Sequence, residues 1–196
     1  MGARFMNDAA SGPGRRSVLR LALMNAVALV TGAARHVWAQ TPDYTRYQPL
    51  VRPVAIPLED LSAPNKAFPF VADGMTLASA ATPNQPVRFN GMVVRTSAGD
   101  NAPERFKAVC VKCPHEGCDV EFIGDPQRVP KEVTDALGKI ADAVYICPCH
   151  NSTFKVEDGA KMFGPTPRGL YRFHVTAVNG AAVEIGEVEE DALLIS

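Results

Sequence analysis

The sequence has no excess of one charge: 20 Lys and Arg stand against 21 Asp and Glu in 196 residues. It therefore carries no basic patch of the kind that marks nucleic-acid binding. It has no internal repeats, which excludes a solenoid or propeller. Long apolar runs are also missing. The best, residues 21–34, spans 14 residues and is broken by Asn25, Thr31 and Gly32. As a helix it reaches about 21 Å at about 1.5 Å per residue, against about 30 Å of hydrocarbon in a bilayer. Cysteine and histidine are scarce, at five and four residues. Four of those cysteines and two of the histidines crowd into two short segments.

The first segment reads Cys113-Pro114-His115-Glu116-Gly117-Cys118, and the second Cys147-Pro148-Cys149-His150-Asn151-Ser152. The pattern is C-x-H-x-x-C followed by C-x-C-H-x-S. Two thiolates on one iron and two imidazoles on the other describe a Rieske [2Fe–2S] centre. A zinc ribbon drawn through Cys110, Cys113, Cys147, Cys149 and His150 competes with it. That drawing puts Cys-Pro-Cys-His where a C-x-x-C knuckle belongs, and it leaves His115 and Cys118 without a role.

The two loops resemble those of the Rieske iron–sulfur protein of cytochrome bc and bf complexes, over roughly residues 90–186. Carried over by position, the resemblance implies one [2Fe–2S] cluster held by Cys113 and Cys147 on one iron and by His115 and His150 on the other. It implies a disulfide between Cys118 and Cys149. It places Ser152 where the family serine donates to a bridging sulfide. Phe154 stands where high-potential members have a tyrosine that donates to a ligand thiolate. One such bond, at about 1 kcal/mol, is worth roughly 40 mV, since about 59 mV is tenfold for one electron. The expected potential is intermediate, above plant-type ferredoxins and below the highest Rieske proteins. Gly164-Pro165-Thr166-Pro167 matches the proline loop that covers the cluster. Asn151 replaces the usual glycine, either at positive φ, which Asn tolerates, or to add a hydrogen bond. Glu116 replaces a usually apolar residue beside the histidines, a poor fit to an apolar quinol pocket.

Histidines in place of two thiolates remove negative charge and raise the potential above that of an all-cysteine cluster. They also titrate, so electron uptake can couple to proton uptake. The resemblance implies an iron–sulfur subunit of a quinol–cytochrome c reductase, with cytochrome b, quinol and a c-type cytochrome as partners. The alternative is a small electron-transfer subunit serving a large subunit of a soluble periplasmic oxidoreductase, as in arsenite oxidase. That relative also pairs the serine with Phe. A ring-oxygenase ferredoxin lacks the cysteine pair Cys118 and Cys149. In none of these does the isolated chain catalyse bond making.

Export is expected. Arg15-Arg16-Ser17-Val18-Leu19-Arg20 resembles a twin-arginine signal, and Val37-Trp38-Ala39 offers a cleavage site before Gln40. A disulfide needs an oxidising compartment such as the periplasm. Both a cleaved signal and a retained membrane anchor remain open. Residues 1–39 contain five Arg and one Asp, which leaves 15 basic and 20 acidic residues beyond them. That mild acidity suits a basic cytochrome, but equally solubility.

The domain reading is signal or anchor at 1–39, a proline-rich linker or neck at 40–66, and the Rieske domain at 67–196, with its cluster-binding subdomain at about 108–168. The expected fold is all-β, a Rieske-type antiparallel β-sandwich with that subdomain at its tip and one inserted helix. Period-two alternation predicts strands at 86–95, 105–112, 119–123, 143–147, 153–156, 171–178 and 181–186. Asn179-Gly180 signals a hairpin between the last two. Pro130 fits a first helical position. Val133, Ala136, Leu137, Ile140 and Ala141 then form one apolar helical face. Cys110 shares parity with Phe106 and Ala108 and reads as a buried free thiol. His174 falls on the polar parity of its strand and reads as a surface residue.

Overall fold

The computed structural model describes residues 45–75 and 86–194. The expected signal or anchor, residues 1–39, lies outside them. No helix among the described residues is long and apolar enough to cross a membrane. The strands in chain order are β1 (Tyr47–Pro57), β2 (Ala67–Met75), β3 (Pro86–Arg95), β4 (Phe106–Cys110), β5 (Glu121–Ile123), β6 (Val144–Cys147), β7 (Ser152–Lys155), β8 (Lys161–Phe163), β9 (Arg172–Asn179) and β10 (Ala182–Glu189). One α-helix, α1 (Lys131–Leu137), lies between β5 and β6.

Alternation of apolar and polar residues builds the base. In β9, Phe173 and Val175 are buried while His174 and Thr176 face out. His174 Nδ1 lies 2.7 Å from Glu187 on the surface. The antiparallel strands close into a six-stranded barrel in the order β1-β10-β9-β4-β3-β2. Closure removes free sheet edges. Phe70, Phe89, Phe106 and Phe173 fill it, with Ile56, Leu61, Val183 and Ile185. The Phe70 and Phe173 rings meet edge to face at 5.0 Å. Phe70 lies over Gly91 of the neighbouring strand, where a Cβ would come within 2.3 Å of the ring.

The barrel corrects one expectation. Residues 47–61, assigned to the neck, are barrel strand β1 followed by a 3-10 turn, Leu58–Leu61. Prolines obscured the strand in the sequence. They are tolerated because the pairing of β1 with β10 breaks register between Pro49 and Val54, and β1 meets β2 only at Leu50↔Gly74. A residue without an N–H costs least where the ladder is interrupted.

The second layer is a four-stranded antiparallel sheet, β5-β6-β7-β8. It is inserted between two barrel neighbours. The chain leaves β4 at Cys110 and re-enters at β9, and the Cys110 N–H donates to Tyr171 O at 2.8 Å. The two ends of the insertion are thus pinned side by side. All four residues of β6 are buried. Tyr145 and Cys147 face a core shared with Val94 and Val109 of the barrel strands. Val144 and Ile146 face the opposite way, against Ile123, Val129 and Val133.

The helix is shorter than its apolar periodicity predicts. Pro130 caps it instead of opening it, and Gly138 at φ 80° ends it after seven residues. Ile140 and Ala141 fall beyond the helix. Val133 is fully buried, whereas Ala136 and Leu137 are exposed.

Candidate metal centre

Three loops meet at the tip of the small sheet. The first, residues 113–118, closes on itself. The Cys113 N–H donates to Cys118 O and the Gly117 N–H to Cys113 O, both at 2.9 Å. Gly117 takes φ 73° to make that turn. A Lys112–Asp119 ion pair at 2.7 Å bridges the loop's base. The second loop is the β6–β7 turn, closed by the pair Cys147↔Ser152, with Asn151 at φ 55°. Asn151 therefore does both things its sequence position allows, because its side chain also donates to Glu132 of α1 at 2.6 Å. Cys118 and Cys149 are disulfide-bonded, with Cα atoms 6.6 Å apart, which ties the two loops together.

The third loop, 164–167, lies on the second. Gly164 takes φ 93°, and a Cβ there would sit 2.5 Å from Ser152 Cα and 2.7 Å from its Oγ. Lys161 Nζ donates to Thr166 O at 2.6 Å, and the buried Thr166 hydroxyl donates to Arg168 O at 2.9 Å. Arg168 then pairs with buried Glu189 of β10 and with Asp191 at 3.2 Å. Its guanidinium also stacks 3.9 Å from the centre of the Tyr171 ring. Glu189 accepts the Arg172 backbone N–H as well, at 3.0 Å.

Within this frame the expected ligand residues meet in like pairs. Cys113 and Cys147 are free, buried and in mutual contact. Burial pushes the Cys147 thiol up, and the Cys113 sulfur adds to this. The backbone N–H groups of Cys149 and His150 point at the Cys147 sulfur and pull the other way, as donors to a thiolate do. The His115 and His150 rings lie 5.0 Å apart, nearly perpendicular. Their side chains are 28 % and 47 % exposed, so the imidazoles form the open edge of the site and the thiols its floor. Glu116 reaches both rings, 4.0 Å from His115 Nε2 and 3.7 Å from His150 Nδ1.

The donor set fits an iron–sulfur cluster. Ser152 is fully buried, yet its hydroxyl has no hydrogen-bond partner among the described residues. Buried hydroxyls are nearly always satisfied, and a sulfide of a bound cluster would satisfy this one. Phe154 is fully buried beside Cys113 and Cys147 and offers no hydrogen bond. The zinc ribbon does not assemble. Cys149 is consumed by the disulfide, and Cys110 is buried in the barrel core while Cys113 belongs to the core of the small sheet.

Sequence reading missed two residues that shape the site, Glu132 and Glu189. They lie 19 and 21 positions from their partners Asn151 and Arg168, and no local pattern marks such pairs.

Comparison with known proteins agrees with the geometry. The model of the Rieske [2Fe–2S] domain matches residues 78–174. The chain thus carries a Rieske [2Fe–2S] domain, and its cofactor is one [2Fe–2S] cluster. Among solved structures it is similar to the cyanobacterial plasma membrane Rieske protein PetC3 from Synechocystis PCC 6803. That match has 21% identity and a TM-score of 0.34, over 59% of this chain and 84% of that one. No curated protein matches the chain. The protein is a Rieske electron-transfer protein.

Proposed function

We propose that this protein is the iron–sulfur subunit of a quinol–cytochrome c reductase, exported by the twin-arginine route and working on the periplasmic side. Cys113 and Cys147 hold one iron and His115 and His150 the other. The cluster, when bound, supplies a one-electron store. The chain's residues do the rest. The disulfide and the 164–167 loop shield the floor, the Ser152 hydroxyl would donate to a sulfide of the bound cluster, and an imidazole nitrogen left free of iron would receive the quinol proton. The observation that carries this reading is the cover itself: two disulfide-tied loops and a proline loop pressed against Ser152, with the histidine edge left open.

A second reading rests on Glu116. A carboxylate within 4.0 Å of both imidazoles suits a polar protein partner better than an apolar quinol pocket. The chain would then be the electron-transfer subunit of a soluble periplasmic oxidoreductase. A tagged pull-down from native membranes and periplasm separates the two, with partners identified by mass spectrometry and haem staining. A co-purifying di-haem cytochrome b supports the reductase. A soluble large subunit, with Gln40 as the mature N-terminus, sinks it in favour of the second reading.

A further inference from the structure

The inserted segment between the two cysteine loops touches the site at one point. Asn151 directly follows His150 and takes φ 55°. A non-glycine residue in that region is disfavoured by about 1–2 kcal/mol, although Asn bears it better than most. Its Nδ2 donates to Glu132 Oε2 at 2.6 Å, and a carboxylate acceptor makes this a charge-assisted bond. Glu132 is itself held. The next residue, Val133, is fully buried against Val144 and Ile146 of β6, the strand that ends at Cys147. One helix thus holds the β6–β7 hairpin at two places, through Val133 against strand β6 and through Glu132 at the turn.

We propose that Glu132 is a positioning residue for His150. By fixing the Asn151 side chain it holds the backbone that carries the imidazole, and so restrains the more exposed of the two histidines. The helix serves as a brace for the cluster loop, a role distinct from filling the outer face of the sheet, which Val133 performs. The proposal rests on the assignment of His150 as an iron ligand.

The test uses the cluster-loaded protein with five changes: Glu132→Ala, Glu132→Gln, Lys131→Ala, Asn151→Gly, and Glu132→Ala combined with Asn151→Gly. Two properties are read, the half-life of visible absorbance in a chelator and the paramagnetic resonance spectrum of the reduced protein. Glu132→Ala shortens the half-life about five- to tenfold and broadens the spectrum, as loss of one solvent-exposed hydrogen bond implies. Glu132→Gln keeps an acceptor oxygen and stays within about twofold of wild type. Lys131→Ala removes the helix's exposed pair with Asp135 but spares Asn151, and also stays within about twofold. With glycine at position 151, removing Glu132 costs less than about twofold, because no side chain is left to restrain. The proposal is overturned if Glu132→Ala matches wild type in both readouts. It is equally overturned if Lys131→Ala reproduces the effect, or if the cost is the same with Asn or Gly at 151. A wild-type spectrum without nitrogen hyperfine coupling would instead overturn the histidine ligation, and the proposal with it.

Discussion

Substituting Gly164 by alanine probes the join between the proline loop and the cluster floor. The added Cβ would lie 2.5 Å from Ser152 Cα, 2.7 Å from its Oγ and 2.9 Å from its N. Two of these atoms are backbone of the β6–β7 hairpin and cannot rotate away, so the 164–167 loop must lift. The backbone conformation at φ 93° adds about 1–2 kcal/mol for any L side chain. Overpacking adds about 1–3 kcal/mol. The total, about 2–5 kcal/mol, is a large fraction of the about 5–15 kcal/mol by which a domain is stable. Gly117→Ala is the control. It has a similar backbone conformation, φ 73°, but nothing lies within 4 Å of its Cβ, so only the conformational cost applies. Denaturant unfolding of both variants should place Gly164→Ala lower by about 1–3 kcal/mol. Lifting the loop also disturbs the Ser152 hydroxyl. Voltammetry should show a midpoint potential lower by roughly 40 mV, the equivalent of about 1 kcal/mol for one electron. If Gly164→Ala is no less stable than Gly117→Ala and its potential matches wild type, the loop does not bear on Ser152 and the reasoning fails.

Three further outcomes follow from the same contacts. Replacing Cys118 and Cys149 together by serine releases a cross-link with a sequence separation of 31; chain entropy puts the loss at about 3–4 kcal/mol, and a loss under about 1 kcal/mol in urea would contradict it. Tyr145 is fully buried and its hydroxyl has no partner among the described residues, so Tyr145→Phe should raise stability by about 1 kcal/mol; a fall of that size would mean the hydroxyl is bonded in the loaded protein. Glu189→Ala leaves Arg168 and Arg172 without their shared carboxylate. Because Arg168 is one-third exposed, the cost is about 2 kcal/mol, below the about 3–5 kcal/mol of a fully buried pair. Hydrogen exchange should then speed up in 164–172, and unchanged protection there would argue against the fastening role.

Much of the barrel was legible because its strands alternate. The predicted strand 86–95 coincides with β3, and the Asn179-Gly180 hairpin joins β9 to β10. β1 was missed because Pro49, Pro53 and Pro57 read as part of a linker, and only closure onto β10 makes it a strand; β2, paired with β3, was not predicted. β8 was missed because three residues carry no period. The helix was over-long because periodicity counted Ile140 and Ala141 past Gly138, a residue whose positive φ ends the helix.

The candidate ligands were visible because their spacing is local. Each loop carries a Cys–His pair and a further cysteine within six residues, so short-range geometry dictates what can meet inside a loop. Their types also carry the chemistry the resemblance implies: thiolates for iron, imidazoles to remove charge, and Phe154 with no hydrogen bond to give. Tertiary structure alone decided the rest. It separated Cys110 from Cys113 into different cores, pressed Gly164 onto Ser152, and brought Glu132 to Asn151 and Glu189 to Arg168, whereas the Cys118–Cys149 disulfide was already implied by the resemblance. The physical reason is sequence separation. A contact within a turn follows from the residues' own dihedral preferences, whereas a contact many residues away exists only once the barrel, the four-stranded sheet and the helix have packed against one another.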